Sequence, residues 1–152
     1  MKIQKQTRRS VRAKEKKRLI KELDRIFSFY IRNRDGWKCV TCGSTDKESL
    51  QCGHLFSRIS YNTRWDERNA YCQCNCCNFR HEHDPGPLTS YFLSLYSSRE
   101  YQKLYNESHK QRHFYNYDLI KLIDYYKARL KEMGVEYDTD KNGKMESDGA
   151  AS

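Results

Sequence analysis

Apolar residues near the start of the chain recur at helical spacing: Leu19, Leu23, Ile26, Phe27 and Tyr30 fall on one stripe, which Ile20 and Ile31 widen. The pattern predicts an amphipathic lead-in helix over residues 11–35 with the stripe against a core, closed by "RDG" at Arg34 to Gly36. The periodicity then shortens. "WKCVTCG" makes a tight turn, "SLQCGHLFSR" alternates as a short strand from Leu50 to Phe56, and a loop "ISYNTRWDER" leads to a second strand near Ala70 to Gln73. Beyond the cysteine cluster that follows, residues 87–96, 98–109 and 117–133 read as three helices. The last is the clearest, with Leu119, Leu122, Ile123, Tyr126 and Leu130 on one face. No apolar periodicity survives past Tyr137, so residues 136–152 are expected to form a disordered tail.

The expected fold class is therefore α+β: a small core over residues 36–86 in the order knuckle, strand, loop, strand, knuckle, helix, flanked by N- and C-terminal helices. A chain of 152 residues with 37% hydrophobic composition supports one modest domain, and a core this small usually needs a staple. Lys and Arg outnumber Asp and Glu by 29 to 20, an excess that favours a polyanionic partner through counterion release. Ten of those cations lie in residues 1–21. Residues 1–10 are expected to be a flexible basic arm, either a solvated tail or a segment that lies along a nucleic-acid backbone. No run approaches the roughly 18 apolar residues of a membrane span, and no apolar signal-peptide core is present, so a cytoplasmic location with no membrane partner is expected.

All seven cysteines (39, 42, 52, 72, 74, 76 and 77) crowd into one quarter of the chain. An odd, clustered set in a reducing compartment points to metal rather than to disulfides. Cys39 and Cys42 form one C-x-x-C, and Cys74 and Cys77 repeat its spacing. Two such turns supply four thiolates to a structural Zn²⁺ at about 2.3 Å each. Cys52, Cys72 and Cys76 then read as small packing residues.

Between the knuckles the chain carries "GH" at Gly53-His54, then Asn69, then Asn78 directly after the last cysteine. That order resembles the His-Asn-His/Asn motif of HNH nucleases, which implies a zinc-stapled ββα-metal core. The resemblance assigns His54 as the general base, Asn69 as the support of the hairpin loop and Asn78 as a ligand of a catalytic cation. The residue types suit that chemistry. A neutral imidazole accepts a proton from water near neutral pH, and Mg²⁺ or Mn²⁺ accepts amide oxygens alongside water and phosphate.

Read as a whole, "CVTCG", "CGHLFSR", "TRWDERNAYCQCNCCN" and the Tyr-rich helices after them resemble the NinG (Rap) family of phage recombination proteins, over roughly residues 19–133. The resemblance implies an endonuclease acting on DNA. It implies branched recombination intermediates such as Holliday junctions or D-loops as substrates; the sequence does not decide oligomeric state, but resolving a junction takes two cuts, which suits a homodimer. The alternative is a zinc-ribbon module that binds nucleic acid without chemistry. Many HNH enzymes carry an acidic metal ligand just before the histidine, where this chain has Gly53. His81 and Glu82 follow Asn78 at helical spacing and either could complete the cation site, with His81 ahead. Arg58, Arg64 and Arg80 are candidates for phosphate contacts, whereas Trp65 and the tyrosines of the last helices read as packing.

Overall fold

The computed structural model describes residues 7–138. Helix α1 spans Arg8–Arg34 and starts three residues earlier than the apolar stripe suggests, because Thr7 caps it by accepting from Ser10 N at 3.3 Å. Residues 8–10 are thus helical, which corrects the flexible arm expected there; residues 1–6 lie outside the described residues. The buried face of α1 runs from Leu19 to Ile31. The cationic turns before Leu19 therefore project beyond the core. Gly36 and Trp37 end the helix with positive φ, their N–H groups donating to the Asn33 and Arg32 carbonyls. The Trp37 ring is held by Arg32 over its face and by the Asn33 Oδ1 that accepts its indole N–H.

A two-stranded antiparallel hairpin follows, β1 Leu50–His54 and β2 Ala70–Cys74, with Cys52 opposite Cys72 and His54 opposite Ala70. The connection is more ordered than a plain loop. It holds a short helix α2, Tyr61–Arg64, and a 3₁₀ turn at Glu67–Asn69 capped by the Asp66 carboxylate. Every residue of β2 is buried. Alternation explains why: Ala70 packs into the α1 core and Cys72 among the thiols, while on the other face Tyr71 packs toward Leu88 and Phe92 and Gln73 lies beside helix α3, Asn75–His81, which continues directly from the strand.

Helices α4 (Gly86–Leu95), α5 (Ser98–Ser108) and α6 (Asn116–Glu132) complete the chain. Their apolar faces divide into two cores. α6 packs along α1 through Leu119, Ile123, Tyr126 and Leu130, joined by Trp65 and Phe114. α4 and α5 bury Leu88, Phe92 and Leu104 against Leu55 and Tyr71 of the hairpin. A third cluster, Cys39, Leu50, Cys72, Cys74 and Cys77, sits at the far end of the hairpin. Val135 and Tyr137 fold back on the first core, with Tyr137 5.6 Å from Phe29 between ring centroids. Tyr137, expected within the disordered tail of residues 136–152, is therefore packed, and residues 139–152 lie outside the described residues. No helix among the described residues is long and apolar enough to cross a membrane.

Candidate functional site

The first knuckle is a turn in which Gly43, at φ 79°, lets its N–H return to the Cys39 carbonyl at 2.8 Å, a conformation an L side chain would strain. Val40 N donates to the Cys72 carbonyl and so fastens the knuckle to β2. The second knuckle is the start of α3, where Cys74 caps the helix by accepting from Cys77 N through its sulfur at 3.4 Å. The Sγ atoms of Cys39, Cys42, Cys74 and Cys77 all lie within 4.8 Å of one another. The 3.7 Å between Cys42 and Cys74 matches the roughly 3.8 Å edge of a tetrahedron with Zn–S bonds of about 2.3 Å. These four cysteines can hold a metal ion such as zinc.

The thiols separate by electrostatics as well as by place. Burial alone would raise Cys39, but backbone N–H donors from Cys42, Cys74 and Thr41 bring it down to about 7. Burial, and then the crowd of neighbouring thiols, pushes Cys77 up, since four sulfurs this close cannot all ionise without a cation. Cys52 and Cys72 are pushed up to about 12 and about 11 by burial and stay neutral packing groups. Cys76 departs from the packing expected of it. It lies exposed on α3, because a helix entered at Asn75 turns Cys77 inward and leaves Cys76 outside.

At the other end of the hairpin, His54 closes β1. Its Nε2 lies 2.9 Å from the Arg64 carbonyl, and a carbonyl only accepts, so Nε2 carries the proton and the lone pair of the neutral ring is on Nδ1. Burial lowers the His54 pKa below its usual 6.5; the charges of Arg58 and Arg64 add to this, while the Arg64 carbonyl opposes it. Asn69 is fully buried and pins both sides of the connection, accepting from Phe56 N at 2.8 Å and donating to the Phe56 and Thr63 carbonyls at 3.0 Å. It thereby ties Phe56, two residues after His54, to Thr63, which directly precedes His54's carbonyl partner.

Helix α3 touches the residues that flank His54. His81 Nε2 lies 3.0 Å from the Leu55 carbonyl, which by the same logic leaves its buried Nδ1 with a lone pair and no protein donor. Asn78 donates to Gln51 Oε1 at 3.0 Å, and its Oδ1 lies 3.0 Å from the point where a side chain at Gly53 would begin. Glu82 caps α3 and is exposed, and His83 is exposed against Phe79. Of the two residues expected to help Asn78, only His81 is turned toward the hairpin. Phe79 itself is 68% exposed beside the site.

The three arginines part company. Arg80 is exposed, and Arg58, also exposed, reaches the Asp24 carboxylate with one nitrogen at 3.3 Å. Arg64 is turned inward instead, its guanidinium clamping both Asp24 carboxylate oxygens at 2.9 and 2.6 Å and lying over the Tyr61 and Trp65 rings. The physical reason is Asp24, which also accepts from Trp65 Nε1 at 2.9 Å and so consumes the cation that a phosphate would need. Asp24 is a residue the sequence reading passed over. A signal existed: it lies on the Ile20, Phe27, Ile31 row of α1, an acid on a core-facing stripe. Gln73 was also missed, the one polar side chain of a fully buried strand.

A family model described as the bacteriophage lambda NinG protein matches residues 1–136. The chain is a member of the NinG family. Among curated relatives it is 29% identical over 118 residues to the NinG proteins of Escherichia phage lambda and Salmonella phage P22, and 28% identical to that of Escherichia phage 933W. Each alignment covers 75% of this chain and 56–57% of the relative. The chain thus spans little more than half the length of these NinG relatives. No solved structure matches it.

Proposed function

We propose that this NinG-family chain is a metal-dependent endonuclease of the HNH type, built on a zinc-stapled ββα core made of β1, β2 and α3. The observation that carries the reading is the His54 Nε2 bond to the Arg64 carbonyl, which fixes the tautomer and leaves Nδ1 as the base. In this role His54 takes a proton from water as the water attacks phosphorus, and Asn69 keeps the acceptor loop rigid. Asn78 and His81 offer an amide oxygen and an imidazole lone pair on one helix, donor types that suit Mg²⁺ or Mn²⁺. A divalent cation held there would stabilise the charge that grows on the leaving 3′ oxygen. The products are 5′-phosphate and 3′-hydroxyl ends.

The exposed cations of α1 before Leu19, with Arg58 and Arg80, suit the phosphate backbone. Arg64 serves the fold. Membership in the NinG family favours DNA, and among DNAs the branched intermediates of phage recombination such as Holliday junctions or D-loops, cut by a homodimer in the host cytoplasm. The bare Gly53 favours one rival, a zinc-ribbon module that binds nucleic acid without cutting it.

The test is cleavage of a panel of single-stranded, linear, forked and four-way DNAs by the full chain with Mg²⁺ or Mn²⁺. Cutting of at least one branched substrate is expected. No cutting of any substrate, with DNA binding intact, leaves the rival standing.

A further inference from the structure

Resting on the endonuclease reading, one buried group remains without a task. Gln73 is 1% exposed, and its Oε1 has no hydrogen-bond partner, although an amide oxygen inside a protein normally has one. Its Nε2 donates to Thr41 Oγ1 at 2.8 Å, which turns Oε1 toward β1. There Oε1 lies 2.1 Å from the position a Cβ on residue 53 would take, so the Gln73 side chain fills the space of the missing Gly53 side chain.

Asn78 is arranged in the same way. Its Nδ2 is spent on Gln51 Oε1, and its Oδ1 is 3.0 Å from that same Cβ position. Two amide oxygens thus converge on the bare α-carbon of Gly53, each fixed by its own N–H donation and with no donor between them. Converging acceptors repel unless a cation or a donor joins them.

We propose that Gln73 supplies, through Oε1, the second protein oxygen ligand of the divalent cation held by Asn78, reaching across the hairpin to replace an acidic side chain at residue 53. Amide oxygens are ordinary ligands for a hard cation. Being uncharged, this pair binds the ion less tightly than a carboxylate would, so the site gains affinity when one amide becomes an acid.

Mn²⁺ binding to the zinc-loaded full chain, followed by loss of the free-ion electron paramagnetic resonance signal, tests this without DNA. Gln73→Ala is expected to weaken Mn²⁺ at least tenfold and Gln73→Glu to tighten it at least tenfold, with zinc content unchanged. Should Gln73→Ala lose zinc or fail to fold, the size-matched Gln73→Glu decides alone. If Gln73 variants bind Mn²⁺ like wild type while Asn78→Ala weakens it, the ligand assignment is overturned and the endonuclease reading survives. A wild-type chain with no saturable Mn²⁺ site overturns the proposal in either case, and the endonuclease reading falls with it only if DNA cleavage is also absent.

Discussion

Cys77 and Asn78 are neighbours on one turn of α3, yet under the proposed function they serve sites of opposite character. On one side four sulfurs crowd within 4.8 Å and leave no position open. On the other, the donors are amide oxygens and an imidazole nitrogen beside an exposed helix face. Soft thiolates that saturate a tetrahedral ion make a staple, whereas hard, neutral donors leave places for water and phosphate. On the proposed reading the thiol end of the hairpin register, Leu50–Cys74, steadies the His54–Ala70 end where the base sits.

Breaking the cysteine end should have the largest effect. Zinc binding contributes on the order of 10–16 kcal/mol in small zinc modules, comparable with the whole stability of a domain. Cys39→Ser or Cys77→Ser should therefore abolish both zinc uptake and the cooperative melting transition, whereas Cys76→Ser should change neither. Zinc per chain and thermal unfolding read this directly, and a Cys77→Ser protein that keeps its zinc and its transition would remove that residue from the ligand set.

Asp24→Ala sharpens the contrast from the other side. The substitution strips the Arg64 guanidinium and the Trp65 indole N–H of their shared acceptor, which should cost about 2–3 kcal/mol. Urea unfolding should register the loss while zinc content stays at the wild-type level. Because the Arg64 carbonyl orients His54, cleavage should slow as well.

A smaller effect concerns pH. His54 is the base only when neutral, and its pKa is lowered below 6.5 by burial and by the charges of Arg58 and Arg64. Activity should therefore stay level as pH falls through neutrality and drop, with the slope of one proton, only below 6.5. Arg58→Gln removes one of those charges and should move the limb upward. A wild-type limb above 6.5, or one that Arg58→Gln moves downward, contradicts the assignment.

The parts of this picture that were legible in the sequence are those written as local periodicity or spacing. The α1 and α6 stripes, the two strands and the paired C-x-x-C turns all obey a repeat of a few residues, and the structure reproduces them within two or three positions. What escaped depends on partners far apart in the chain. Arg64 reads as a free cation in "TRWDER" because its carboxylate partner lies 40 residues earlier on α1. Gln73 looks like an ordinary strand residue until β1 is laid beside it and Gly53 opens the space it fills. Cys76 reads as a packing residue by spacing alone until the phase of α3 turns it outward.

The central claim is that one hairpin joins a structural metal end to a hydrolytic end, and His54→Ala separates them most directly. Cleavage rate on a four-way DNA and zinc per chain should be measured together in wild type and variant. The account predicts zinc unchanged and cleavage reduced at least a hundredfold, in the range expected for loss of a general base, ~10²–10⁴. A His54→Ala protein that retains zinc and cuts at the wild-type rate would contradict it.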